Sequence, residues 1–323
     1  MTAHNKMRAA RIIGPEKFEI ESVVRPDPKP NELRFRVEGC GVCASNLGPW
    51  FGLPWTQYPL GPGESGHEAW GVVDAVGKDV EGFEPGERVA ALSYNAYAEF
   101  DVADASAVLR LPSSMASLPF PAEPVGCAIN IFERAQVRSG QTVAIIGIGF
   151  LGAILTRLAA LAGASVLAIS RRPYSLELAT SMGAQRTLPL EDHHGLIRSV
   201  SECTREQLCD VVIEATGKQW PLDLAAEIVK TRGRLVVAGY HQDGPRQVNM
   251  QLWNWKGLDV INAHERDSAV YASGMRKAIE SAQLTHLDLQ PLFTHRYPLE
   301  QLGEAMAATS DRPVGFVKAL VIP

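Results

Sequence analysis

No run of apolar residues in this chain is long enough to cross a bilayer as a helix, which excludes a helical membrane protein. The opening MTAHNKMRAA has no apolar signal core, so secretion is not expected and a cytoplasmic location is. Basic residues are not in excess: 31 Lys and Arg stand against 36 Asp and Glu, a formal net charge of −5. A nucleic-acid partner would call for a basic footprint to neutralise phosphates, and none is present. Disulfide-framework spacing is missing too. The five cysteines (Cys40, Cys43, Cys127, Cys203, Cys209) are an odd number, and in this context they read as thiols or metal ligands. Cys40 and Cys43 form a single C-x-x-C; Cys203 and Cys209 are too far apart to supply the second half of a four-cysteine zinc site. Internal repeats and low-complexity segments are absent. What remains is an ordinary globular composition, 46% hydrophobic and 21% charged, over 323 residues, enough for two domains.

The densest local signal is QTVAIIGIGFLGAILTRLAALAGASVLAISRR, residues 141–172. Thr142 to Ile146 predicts a short buried strand. Gly147-Ile148-Gly149-Phe150-Leu151-Gly152 follows at once and fits G-x-G-x-x-G. Helical spacing of Leu151, Ile154, Leu155, Leu158 and Leu161 comes next, ended by Gly163, and Ser165 to Ile169 reads as a second strand. In that context the motif predicts a dinucleotide site. Gly147 makes the tight turn, Gly149 lets a pyrophosphate approach the backbone, and Gly152 allows close helix packing. Phe150 and Leu151 open the helix whose N-terminal N–H groups and dipole face the phosphates. An NAD site usually places an acid at the end of the second strand. Here Ser170-Arg171-Arg172 stands instead, a hydroxyl and two guanidiniums suited to a 2′-phosphate, which points to NADP(H).

Around this unit the chain reads as β-rich from Arg8 to Val37, with residues 1–6 as a disordered extension and an irregular, aromatic stretch from Gly48 to Gly63. Gly66-His67-Glu68-Ala69-Trp70-Gly71, with Gly77 and Val80 in register behind it, resembles the signature of zinc-containing alcohol dehydrogenases of the medium-chain dehydrogenase/reductase superfamily. Cys43-Ala44-Ser45-Asn46, Phe83 to Val89, and the strand-like Ala96 to Phe100 resemble further family segments. The resemblance covers about Met7 to Pro323. It implies an α/β fold: a Rossmann-like doubly wound parallel sheet over 125–262, and a β-rich GroES-like catalytic domain over 1–124 and 263–323. Sheet strands are expected at Thr142–Ile146, Ser165–Ile169, Arg186–Leu188, Asp210–Glu214, Arg234–Ala238 and Leu258–Asn262, with Phe316 to Ile322 as a closing strand.

The same resemblance implies one catalytic Zn²⁺. Cys43 and His67 match the family's first two ligands. Glu68 matches an acid that binds zinc in polyol-dehydrogenase-like members and sits behind it in others. Glu123, in Ala122-Glu123-Pro124, matches a third-ligand position, with Cys127 as a substitute. Ser45 matches the hydroxyl that takes the alcohol proton. The implied activity is hydride transfer between NADP(H) and a small alcohol or carbonyl substrate; the alternatives are a zinc-free enone or quinone reductase and a non-catalytic NADPH-binding sensor. The sequence departs from the family pattern in three places. Asn46 replaces an Asp, Gly48 replaces a relay His, and residues 89–98 leave no room for a structural-zinc lobe. Family members pair through the last strand of the nucleotide domain, so a homodimer or homotetramer is expected.

Overall fold

A computed structural model describes residues 5–115, 117–284 and 287–323. By contact density the chain divides into two compact units, Met1–Gly126 with Asp267–Pro323, and Cys127–Arg266. The fold is mixed α/β, one unit GroES-like and the other Rossmann-like.

The first unit opens on a hairpin, β1 (Lys6–Gly14) and β2 (Lys17–Val24). Lys6 already belongs to β1, so the extension expected over residues 1–6 is at most the first five residues, of which 1–4 lie outside the described residues. The unit's main sheet holds β3 (Glu32–Gly41), β4 (Glu68–Val76), β5 (Arg88–Ala91), β6 (Phe100–Asp104) and β7 (Val108–Arg110). β3 is the organising strand. Leu33, Phe35 and Val37 alternate into the core, as a half-buried strand requires. β3 pairs antiparallel with both β4 and β6. Between β3 and β4 lies a short helix, α1 (Leu47–Phe51), in the stretch expected to be irregular. It forms because Trp50 is drawn into the core against Phe18, ring centroids 6.3 Å apart.

Residues 96–99 form no continuous strand, against the sequence pattern; only Ala98 pairs, in a single antiparallel bridge with Ala9 of β1. Ala96 N–H donates to Gly66 O and Tyr97 N–H to Gly63 O, so these groups serve the turn before His67 rather than a ladder. The chain leaves this unit along helix α2 (Ala122–Ala135).

The second unit is a six-stranded parallel sheet. Its strands are β8 (Thr142–Ile146), β9 (Ser165–Ser170), β10 (Arg186–Pro189), β11 (Cys209–Glu214), β12 (Val229–Val237) and β13 (Asp259–Asn262). The spatial order is β10-β9-β8-β11-β12-β13, so the direction in which successive strands are added to the sheet reverses between β8 and β11, where open α/β sheets bind ligands. Helices α3 (Phe150–Leu161), α4 (Pro173–Ser181), α5 (His193–Cys203), α6 (Gln219–Ile228) and α7 (Met250–Lys256) connect the strands. Val143 to Ile146 are fully buried. Each such aliphatic side chain contributes roughly 1.5–3 kcal/mol of transfer free energy, which anchors the glycine loop that follows.

After α8 (Ser268–Gln283), the first unit is completed by β14 (His295–Pro298), α9 (Leu302–Asp311) and β15 (Ala319–Ile322). The closing strand is shorter than the apolar run from Phe316 suggests, because Val317 N–H and Lys318 N–H donate to the Thr294 hydroxyl instead of a ladder. No helix among the described residues is long and apolar enough to cross a membrane.

Candidate active site

The antiparallel register of β3 and β4 sets Gly41 opposite Glu68. Cys43 lies two residues past the end of β3, and His67 immediately precedes β4, so one strand pairing brings three donors to one place. The ligand atoms of Cys43, His67 and Glu68 all lie within 4.8 Å of one another, and this is the only such group of three among the described residues. Glu123, 7% exposed on the first turn of α2, lies outside that radius, yet its charge acts on His67. Ser45 sits half-buried in the 3-10 turn Ala44–Asn46 that Cys43 caps. Cys40 is fully buried, as a packing thiol should be. Cys127 is half-buried on α2 and is not a member of the group.

Asn46 organises the turn. Its Oδ1 accepts from Cys43 N–H at 2.7 Å and from Tyr97 O–H at 3.0 Å. Its Nδ2 donates to Ser65 O at 2.6 Å and to Ser65 Oγ at 2.8 Å. Ser65 O in turn lies 3.1 Å from His67 Nδ1, which therefore carries the proton and leaves Nε2 for a metal. The histidine is thus oriented by a backbone carbonyl, with Asn46 one step behind. Asp could not replace it without setting a carboxylate against the Ser65 carbonyl.

Burial would lower the His67 pKa, but the Cys43 hydrogen bond and charge, with the charges of Glu123 and Glu68, raise it to about 10. Such a field holds a proton when no metal is bound and a dication when one is. A soft thiolate, an imidazole with a fixed tautomer and a carboxylate are a donor set that suits Zn²⁺. The residues present fit the metal.

Glu68 is fully buried and its charge is met by Lys318, a residue to which the sequence reading assigned no role. The ammonium donates to Oε1 at 2.6 Å and lies 2.5 Å from Oε2, at an angle that gives charge contact but no hydrogen bond. Burial would lower the Lys318 pKa; the charge of Glu68, then that of Cys43 and the Glu68 hydrogen bond, raise it instead. The signal available in the sequence was a lone lysine inside an apolar run, Phe316-Val317-Lys318-Ala319-Leu320.

In the second unit each glycine of the loop has a different reason to be there. Gly147 has φ +97°, and a Cβ on it would lie 2.5 Å from the Thr216 methyl. A Cβ on Gly152 would lie 2.0 Å from Gly147 O. Gly149 has nothing within 4 Å of where a Cβ would be, so its surface is open for an approaching group. It caps α3, with Phe150 and Leu151 as the first two helical residues. Opposite, the buried Glu214 at the end of β11 accepts from Thr216 N–H at 2.6 Å and Gly217 N–H at 3.0 Å, and contacts His241 Nε2 at 3.1 Å. That turn forms the second wall at the point where the strand order reverses. Ser170 ends β9 almost fully buried, and Arg171 is exposed beside it. Arg172 caps α4 and its guanidinium donates to Ile148 O at 3.4 Å, bracing the glycine loop.

Two family models match the chain: an alcohol dehydrogenase GroES-like domain over residues 29–113 and a zinc-binding dehydrogenase over residues 151–281. The chain belongs to the zinc-type alcohol dehydrogenases of the medium-chain dehydrogenase/reductase superfamily. This family member is an oxidoreductase. It is 26% identical to the 2-dehydro-3-deoxy-L-galactonate 5-dehydrogenase of Pseudoalteromonas atlantica, with 98% of each chain covered. It is 25% identical to the sorbitol dehydrogenase of Bacillus subtilis, covering 100% of this chain and 99% of that one. Among solved structures, an NADP-bound zinc-binding dehydrogenase from Sinorhizobium meliloti superposes with a TM-score of 0.86 at 22% identity, covering 98% and 99% of the two chains. At that identity the likeness speaks for the fold.

Proposed function

We propose that this dehydrogenase is zinc-dependent, prefers NADP(H), and interconverts a small, hydroxylated alcohol and its carbonyl. The observation that carries the reading is the convergence of Cys43, His67 and Glu68 within 4.8 Å. When bound there, zinc supplies Lewis acidity toward the substrate oxygen, and the nicotinamide supplies or accepts the hydride. The chain's own residues do the rest. Cys43 and His67 would hold the metal, with Glu68 or Glu123 as the further ligand. Ser65 O keeps the His67 proton on Nδ1. Ser45, two residues after Cys43, takes the alcohol proton and passes it outward. The relatives support a hydroxylated substrate: sorbitol and 2-dehydro-3-deoxy-L-galactonate are both polyhydroxylated. A panel of polyols, simple alcohols and aldehydes run with both cofactors tests the assignment; activity confined to enones or quinones would overturn it.

Cofactor preference rests on Ser170 and Arg171, with no acid at the end of β9. A guanidinium contact to the 2′-phosphate is charge-assisted and contributes about 1.5–3 kcal/mol. At an exposed site in physiological salt the lower end applies, giving NADPH an advantage of about tenfold. Arg171 is the residue available for it, because Arg172 is engaged with Ile148 O. Ser170→Asp with Arg171→Ala should weaken NADPH binding by at least that factor. Equal dissociation constants for NADH and NADPH in the wild type would show the reading of this turn to be wrong.

Assembly is expected through β13. It is the terminal strand of its sheet and, among the described residues, pairs only with β12. Val260 on it is 37% exposed, and Trp255 in the preceding helix is 88% exposed. An open edge with apolar neighbours is a template for a two-fold partner. Sedimentation should show at least a dimer at micromolar concentration, and Val260→Lys should shift it toward monomer; a monomeric wild type contradicts this.

A further inference from the structure

The end of β11 and the loop after β12 meet at one buried carboxylate. Glu214 is fully buried. Its Oε1 accepts from Thr216 N–H at 2.6 Å, from Gly217 N–H at 3.0 Å and from the Thr216 hydroxyl. Its Oε2 faces His241 Nε2 at 3.1 Å. The other ring nitrogen, Nδ1, accepts from Arg246 Nε–H at 2.8 Å. A guanidinium only donates, so Nδ1 carries no proton, and the ring proton sits on Nε2 and points at the carboxylate. Both ends of the imidazole are committed, and its tautomer is fixed. Arg246 is held in turn by Gly217 O at 2.8 Å and by Asp243, to which Lys218 also pairs at 2.6 Å.

Backbone packing closes the same contact. A Cβ on Gly239 would lie 2.1 Å from Gly217 N and 2.7 Å from Glu214 Oε2, so the loop comes this near only where it has no side chain. The turn at 214–217 also touches the glycine loop, through the Thr216 methyl against Gly147. A continuous path therefore runs from Arg246 through His241, Glu214 and Thr216 to the first glycine of G-x-G-x-x-G. A carboxylate left unmet at this depth would be costly, and its field would oppose the phosphates of a dinucleotide. His241 is what meets Oε2.

Resting on the assignment of the glycine loop to a nicotinamide dinucleotide, we propose that His241 is a positioning residue for the cofactor. It joins Glu214 to Arg246 in one tautomer, fixes the orientation of the carboxylate, and through Thr216 holds the turn at Gly147 in place. It acts through these residues and not by contact with the cofactor. β8 separates β11 from β9, which ends at Ser170, so the relay serves the pyrophosphate turn and not the 2′-phosphate end of the site. NADH and NADPH should depend on it alike.

The test combines ¹⁵N NMR of histidine-labelled full-length protein with calorimetric titrations of NADH and NADPH. The His241 signals, assigned by their absence from the His241→Gln spectrum, should show a wild-type ring protonated on Nε2 alone; a proton on Nδ1 would overturn the proposal. His241→Leu removes both contacts. The affinity of the folded protein should then fall about tenfold or more, by the same factor for both cofactors, while turnover at saturating cofactor is largely kept. A residue that served only the stability of the fold would lower the melting temperature and leave both dissociation constants unchanged, and that result would refute the proposal. So would a loss confined to NADPH, which would put His241 at the 2′-phosphate. His241→Gln offers an N–H donor and a carbonyl acceptor on one amide and should retain most of the affinity. Arg246→Met decides the matter if His241→Leu does not fold, since it leaves Asp243 paired with Lys218 and Glu214 paired with His241. It should weaken both cofactors by one common factor, and unchanged affinities would overturn the proposal. A wild type that binds neither cofactor is a separate result: it overturns the assignment of the glycine loop, and this proposal with it.

Discussion

Replacing Cys43 by Ala should strip the protein of zinc and lower turnover by roughly 10²–10⁴-fold. Metal polarisation of a substrate oxygen contributes several kcal/mol of transition-state stabilisation, and each 1.36 kcal/mol is a factor of ten in rate. The thiolate is also the softest donor of the set and a carrier of the charge that holds a dication. A comparison with Cys40→Ala separates metal loss from a general effect of removing a thiol. Cys40 is fully buried and is not one of the grouped donors, so its variant should lose some stability and keep its zinc. Metal analysis should give close to one zinc per chain for wild type and Cys40→Ala, and close to none for Cys43→Ala. Metal-free protein with undiminished turnover would refute the assignment.

The same site makes a prediction about pH. In metal-free protein the His67 pKa is raised to about 10, so the ring holds its proton throughout the neutral range. Zinc must displace that proton, because a ligating imidazole is neutral. Zinc affinity should therefore rise with pH between 6 and 9, and calorimetric titrations in buffers of different ionisation heat should register proton release on binding. Affinity that is flat over this range would mean that His67 is not a ligand.

The second large effect is a contrast between two glycines three residues apart. Gly149→Ala should leave thermal stability unchanged and cost about 10–100-fold in cofactor affinity. The added methyl meets no protein atom within 4 Å, but it occupies the surface that a pyrophosphate must approach. Losing one or two hydrogen bonds to a charged group, at about 1.5–3 kcal/mol each, accounts for the magnitude. Gly152→Ala should do the reverse first: its methyl would stand 2.0 Å from Gly147 O, a backbone atom that cannot swing aside. Overpacking of this kind costs about 1–3 kcal/mol and should lower the melting temperature before cofactor is added. Differential scanning calorimetry with and without NADPH distinguishes the two. A Gly149→Ala protein that binds cofactor normally would show that the loop does not face the phosphates.

The nucleotide unit was legible from the sequence because its signals are local. A strand, a turn that needs φ above zero, a helix and a second strand follow one another within 32 residues, residues 141–172, and each is dictated by neighbours along the chain. The strand positions in that unit were expected to within a residue for the same reason, save that β12 begins at Val229, five residues before the expected Arg234. In the first unit the local rules misled where backbone groups had distant obligations. Residues 96–99 look like a strand, yet the Ala96 and Tyr97 N–H groups are taken by Gly66 and Gly63, more than 25 residues away in the chain, and only Ala98 is left to pair, in a single bridge with Ala9.

Cys43, His67, Glu68 and Glu123 could be singled out from motifs, but no spacing rule relates them. Their grouping depends on the register of β3 with β4, which long-range pairing sets. Asn46 was visible as a departure, and its role was not: it acts on Ser65, and Ser65 on His67. Lys318 was the least legible. It meets Glu68 across 250 residues, through the gap that Gly41 leaves in the strand between them. Nothing periodic links those three positions. A charge in an apolar run says that a partner must exist, because an unpaired buried ammonium is too costly to keep. Which carboxylate serves, and that it is one of the candidate metal group, depends on how three strands separated along the chain lie side by side in one sheet.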